Sequence, residues 1–329
     1  MKKHIYIFSP SSAVRDKPAF RRGVARLKAM GCEVELDSAA LASHLRFAGD
    51  DATRVAAIGR AAASGADVAL ISRGGYGLTR ILGDLPYKAI ARAVGRGTAF
   101  VGLSDFTAFQ NAVLAKTGAV TWAGPAVGED FGTEDAPDDI MQACFEDLLL
   151  GQAEGTGWRW PAADYKAFQA GRSSSIATKK IAAQQGLTGT LPDFELKNAV
   201  LWGGNLTVLT SMLGTPWLPQ IKGGILFIED VHEHPYRVER MLTQLLHSGV
   251  LARQKAVVFG QFTNYRLAPH DRGYSLQTVV AWLRSQIKEP VLTGLPFGHV
   301  PTKVLLPVGA RVTLLAQDRD ALVLWAHAH

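Results

Sequence analysis

Cysteine is almost absent from this sequence. Cys32 and Cys144 are the only two, far apart and outside any CxxC or metal-like spacing. That scarcity excludes a disulfide framework and a thiolate metal site, and it leaves both thiols as expected core residues. Long apolar runs are also missing. The first stops after Phe8 at Ser9-Pro10, too short for a signal-peptide core, and no stretch approaches the roughly 20 residues of a membrane span. The expectation is a cytoplasmic protein with no membrane partner. Lys and Arg form no runs interleaved with aromatics, which argues against nucleic acid. The net charge of +6 is mild and scattered, and suits a small anionic substrate.

What is present reads as an ordinary globular chain, long enough at 329 residues for two domains. Strand-like and helix-like segments alternate through the first half. Ile5–Phe8, Glu33–Leu36, Ala66–Ser72, Thr98–Leu103 and Ala119–Trp122 read as strands. Between them Pro18–Met30, Asp51–Ala63, Tyr87–Val94 and Asp105–Lys116 carry helical spacing, with Asp50 or Asp51 as a cap. Such alternation predicts βαβ units in an α/β fold, a parallel sheet covered on both faces. Residues 1–150 form this first domain.

Composition shifts after Gly151. Gly155-Thr156-Gly157 and Arg172-Ser173-Ser174-Ser175-Ile176 read as linker, and Ala177–Gln185 as a short basic helix. The boundary is placed in 151–198, leaving 199–329 as a second, smaller, mixed β/α domain. Its strands are Ala199–Trp202, Gly224–Ile228 and Ala256–Phe259, and its helices Tyr236–His247 and Ser275–Ile287. Val312–Leu315 and Ala321–Trp325 read as an antiparallel hairpin.

Ligands of open parallel sheets bind outside the carboxyl ends of the strands. Ser104 stands at such an end, where a buried strand turns into a helix in Val101-Gly102-Leu103-Ser104-Asp105-Phe106. A hydroxyl there is exposed above the sheet beside backbone N–H groups that can face an oxyanion; the plainer role is a helix cap. Phe106 occupies the place of the second glycine of GxSxG, so an ordinary α/β-hydrolase elbow is disfavoured.

Arg73-Gly74-Gly75-Tyr76-Gly77 ends another strand. Its glycines admit a ligand close to the backbone, but the spacing matches neither GxGxxG nor a P-loop. It also reads as a tight turn. Glu229, in Ile228-Glu229-Asp230-Val231-His232-Glu233-His234, is placed at a strand's carboxyl end, where it could orient a histidine; Asp230 and Glu233 read as helix-capping acids and compete for that role. His232 and His234 lack HExxH spacing, so no metal is expected. His299, in Leu295-Pro296-Phe297-Gly298-His299, reads alone as a turn histidine, but it completes the order Ser, acid, His.

These segments resemble the LD-carboxypeptidase family, which includes muramoyltetrapeptide carboxypeptidases. The resemblance runs almost end to end. It is carried by Ser9-Pro10-Ser11, Arg46-Phe47-Ala48-Gly49, the loop at 73–77, Gly102–Thr107, Leu201-Trp202-Gly203-Gly204-Asn205-Leu206, Gly214-Thr215-Pro216-Trp217, Ile228-Glu229-Asp230, the stretch from His234 to Leu242, and Gly294–His299.

The resemblance implies a flavodoxin-like first domain and a Ser-Glu-His site where the two domains meet. Ser104 would be the nucleophile, His299 the general base and Glu229 its partner, with no cofactor. Backbone N–H groups of Asp105 and Gly75 would hold the oxyanion, and Arg73 or Arg237 the terminal carboxylate. The implied reaction is release of terminal D-Ala from a murein tetrapeptide (L-Ala-D-Glu-meso-diaminopimelate-D-Ala) by a homodimer. Two other readings are a same-fold self-immunity hydrolase acting on an acyl-adenylate-like peptide antibiotic, and a non-catalytic flavodoxin-like ligand-binding protein. The chain departs from the family between Trp160 and Asn198, where it is longer than the short bacterial members; that piece reads as a flap near the cleft or an elaborated linker.

Overall fold

The computed structural model describes residues 2–171 and 194–325. The apolar segments of the first half assemble as β1 (His4–Phe8), β2 (Glu33–Leu36), β3 (Val68–Ile71), β4 (Ala99–Gly102) and β5 (Thr121–Ala123). All five run parallel in the order β2-β1-β3-β4-β5, the flavodoxin-like order. β3 is buried at every position, as expected of a central strand with helices on both faces. The strand order reverses between β1 and β3, which opens a crevice above their carboxyl ends.

The helices between these strands are α1 (Lys17–Ala29), α2 (Asp51–Ala63), α3 (Tyr87–Gly95) and α4 (Phe106–Thr117), and α5 (Asp139–Leu150) follows β5. Asp16, Asp50 and Asp138 cap α1, α2 and α5 by accepting from the N–H groups of Ala19, Thr53 and Met141. Such caps satisfy first-turn N–H groups that have no partner within the helix. Helix α4 differs from the rest, since every residue from Phe106 to Leu114 is buried. An all-round buried helix needs partners on all sides. Here the second sheet supplies the outer one.

That sheet has the order β10-β9-β8-β7-β12-β13-β6, formed by β6 (Gly155–Arg159), β7 (Phe194–Asn205), β8 (Gly224–Val231), β9 (Gln254–Thr263), β10 (Val291–Leu292), β12 (Arg311–Gln317) and β13 (Asp320–Leu324). β7 to β10 are parallel, while β12, β13 and β6 add antiparallel partners. The predicted terminal hairpin is the β12–β13 pair. Its helices are α6 (Ala162–Gly171), α7 (Leu206–Ser211), α8 (Pro235–His247) and α9 (Leu276–Gln286). Asn111 of α4 donates to the Gly203 carbonyl at 2.9 Å, and Thr107 Oγ1 accepts from Asn205 N at 3.0 Å, so α4 is bonded to β7. Among the described residues no helix is long and apolar enough to cross a membrane.

One sequence expectation is corrected by the fold. Gly155-Thr156-Gly157, read as linker, lies in β6 and pairs with β13 at the sheet edge. Its one buried side chain, Trp158, donates to the Thr293 carbonyl at 2.9 Å and anchors the strand. Ala162–Gly171 is helical as well. The expected linker at 172–176 and helix at 177–185 fall outside the described residues. A late strand, β11 (Leu306–Val308), returns to pair antiparallel with β5 in the first sheet.

Candidate active site

Ser104 follows β4 with φ of 66°, in the left-handed region. A non-glycine residue there costs on the order of 1–2 kcal/mol, so the surrounding turn must hold it. The turn is tied by Phe106 N to Leu103 O and by Thr107 N to Ser104 O, at 3.2 and 3.0 Å. Next to it lies the glycine loop. A side chain at Gly74 would come within 2.6 Å of Ser104 Cβ and 2.8 Å of its Oγ, so only glycine allows this approach. Gly75, at φ of 113°, is packed equally tightly against Ser12.

Two buried charges brace the loop. Arg54 of α2 donates to the carbonyls of Pro10 and Gly77 at 3.2 and 2.8 Å, joining the loops that follow β1 and β3. The Asp105 side chain accepts from Leu78 N at 2.9 Å. Burial raises the Asp105 carboxyl pKa, against the lowering effect of that bond. Sequence reading treated Asp105 only as a backbone donor and missed Arg54.

The second half of the site comes from the other sheet. Glu229 Oε2 lies 2.8 Å from His299 Nδ1, and Glu229 is fully buried. Expected at a strand terminus, Glu229 instead lies within β8, at an irregularity in register between Ile228 and Asp230. The bulge matters because adjacent strand residues ordinarily face opposite ways. Asn205 Nδ2 donates to both Glu229 and Asp230, at 3.1 and 3.0 Å. Asp230 also accepts from Thr207 N and Oγ1, and Glu233 pairs with Arg237 at 2.6 Å. Of the three acids weighed, Glu229 meets the histidine. Gly298, at φ of 141°, leaves room for it, since a Cβ there would lie 3.1 Å from Glu229 Oε2.

Burial alone would lower the pKa of His299. The hydrogen bond and charge of Glu229, joined by Glu129, outweigh it and raise the imidazole above its ordinary value, with Lys303 opposing. Glu129 and Asp130 lie in a single π-helical turn, Val127–Phe131, tied to the end of β3 by Gly128 N to Ser72 O at 3.0 Å. Asp130 and Lys303 form a buried ion pair, and Arg73 Nε lies 3.7 Å from Glu129. Glu129, Asp130, Lys303 and Asn205 were not among the candidates read from sequence. A lysine set directly before Val304-Leu305-Leu306 was the available signal for Lys303.

The two halves share neighbours. Gly74 touches Ser104, Arg73 beside it pairs with Glu129, and Glu129 acts electrostatically on His299. Arg237 stands apart, half exposed and paired with Glu233. His234 caps α8 and meets Asp271 at 3.1 Å, while His232 Nδ1 is 3.2 Å from Asn264 O. Among the described residues, no three His, Cys, Asp or Glu side chains are grouped to hold a metal ion.

Residues 5–124 match the family described as LD-carboxypeptidase N-terminal domain, and residues 198–314 match LD-carboxypeptidase C-terminal domain. The crystal structure of a muramoyltetrapeptide carboxypeptidase from Oxalobacter formigenes superposes with a TM-score of 0.81 at 38% identity, covering 99% of this chain and 100% of that one. A Bacillus subtilis protein named "Probable murein peptide carboxypeptidase" is 28% identical over 298 residues, 90% of this chain and 84% of its own. The Escherichia coli Microcin C7 self-immunity protein MccF is 27% identical over 250 residues, 73% and 69% of the two chains.

Proposed function

The chain belongs to the LD-carboxypeptidase family, and from that premise we propose that it is a metal-independent serine L,D-carboxypeptidase releasing terminal D-Ala from the murein tetrapeptide. The observation that carries this reading is the 2.8 Å contact between His299 and the buried Glu229, in a chain whose serine is held at positive φ against a glycine loop.

Ser104 Oγ attacks the carbonyl that precedes the terminal D-residue, and His299 takes its proton. Glu229 holds the imidazole through Nδ1 and stabilises its charged form. Backbone N–H groups of Asp105 and Gly75 receive the oxyanion, each worth on the order of 3 kcal/mol. His299 then protonates the leaving amine, and water hydrolyses the acyl-enzyme. Arg73 receives the substrate's terminal carboxylate, as an exopeptidase requires. Arg237, already paired and half exposed, is the weaker candidate. A cytoplasmic homodimer belongs to the same reading, and light scattering tests the assembly.

Ser104→Ala should abolish D-Ala release from the tetrapeptide, measured by mass spectrometry, while full activity survives exhaustive chelation. Turnover by Ser104→Ala at the wild-type rate would overturn the assignment. The relative named as a Microcin C7 self-immunity protein supports a second reading, a self-immunity hydrolase, for which an acyl-adenylate-like peptide antibiotic is the substrate to try. Parallel turnover on both compounds separates the two.

A further inference from the structure

Arg73 and Glu129 form the loosest ion pair beside the reacting groups. Their 3.7 Å separation is beyond hydrogen-bond length, and their side chains are 22% and 43% exposed, so both keep bonding capacity for a ligand. Arg73 is steadied from behind by a bond to the Ala13 carbonyl at 3.2 Å. Glu129 is presented by the π-helical turn, a rare geometry that recurs at functional sites.

We propose that Arg73 and Glu129 are the docking pair for the amino acid that the enzyme releases, Arg73 taking its carboxylate and Glu129 its ammonium. The inference rests on the assignment of Ser104 and His299 given above. In the intact peptide the terminal residue carries one charge, its carboxylate, and its nitrogen is a neutral amide. Hydrolysis breaks the C–N bond, and that nitrogen receives the proton His299 took from Ser104. The free amine then binds a further proton from water and is charged near neutral pH. It is formed beside His299, within electrostatic reach of Glu129. The two charges of a free α-amino acid lie about 3 Å apart, close to the spacing of the pair. Only the product satisfies both residues.

The test is protection of Ser104 from a fluorophosphonate probe. D-Ala should slow labelling of the wild-type protein at concentrations at least tenfold below those needed of N-acetyl-D-alanine, which lacks the ammonium, or of D-alaninamide, which lacks the carboxylate; tenfold corresponds to about 1.4 kcal/mol. Glu129→Gln should erase the advantage over N-acetyl-D-alanine, and Arg73→Gln the advantage over the amide. Equal protection by all three compounds in the wild type overturns the proposal without any variant having to fold. An unchanged preference in Glu129→Gln overturns the role of Glu129. A Ser104 that takes no label would overturn the nucleophile assignment beneath it, a separate and visible result.

Discussion

At the scale of single residues, the proposed mechanism depends on one imidazole being a free base when the substrate arrives. Glu229 favours the charged imidazolium, and so does Glu129, so the pKa of His299 lies above its ordinary value. The acid limb of kcat/KM should therefore fall at higher pH than for an unperturbed histidine, near 6.5. Glu229→Gln removes the larger of those two charges. Its limb should move toward lower pH while kcat falls on the order of 10⁴-fold, as when a histidine loses its orienting acid. A pH–rate series on both proteins checks this, and a limb that stays in place would separate Glu229 from the base. The same shift favours folding below the ordinary histidine pKa, and that contribution is lost as pH rises through the raised value.

At the scale of elements, the glycine loop and the serine turn act as one piece. The Cβ that Gly74→Ala adds would meet Ser104 at 2.6 Å on Cβ and 2.8 Å on Oγ. A displacement of about 1 Å at a nucleophile costs on the order of 100-fold. Turnover should therefore fall by about that factor, while overpacking of roughly 1–3 kcal/mol lowers the thermal midpoint by only a few degrees. Steady-state kinetics beside a thermal melt would reveal it, and normal turnover would mean that the contact relaxes harmlessly. Elements of this kind were legible wherever burial repeats with a period. β3 and β4 read as apolar runs, and α1 and α2 as helices, the second with its acidic cap. β6 was not legible, because two glycines and an exposed edge leave Trp158 as its only buried side chain. The π-helical turn was missed too, since five residues carry no recognisable period. Ser104, Glu229 and His299 could be named individually from the motifs. The choice of Glu229 over Asp230 came from the family resemblance and not from the residues alone, because the register shift beside Glu229 depends on pairing with β9.

At the scale of the whole molecule, His299 lies on the one stretch that leaves the second sheet at β10 and enters the first at β11, so its position depends on both. Three contacts fix that crossing. β11 pairs with β5, Thr302 donates to Asp138, and Lys303 meets Asp130, with both members of this last pair 3% exposed. Asp130 is held from its other oxygen by Ala126 N at 2.7 Å. Removing one partner of a buried pair strands the other charge, at a cost of about 3–5 kcal/mol, whereas replacing both with apolar groups is often close to neutral. Lys303→Met should therefore lower the unfolding free energy by about that amount, read from the denaturant midpoint, and reduce turnover as the crossing loosens around His299. Lys303→Met with Asp130→Leu should recover most of the stability, since no unpaired charge remains. The recovered protein would then report on position alone: if the pair sets where His299 stands, turnover stays low while the midpoint returns. A double variant restored in both would reduce the pair to a stability element, and a Lys303→Met protein within 1 kcal/mol of wild type would mean that Asp130 finds another partner.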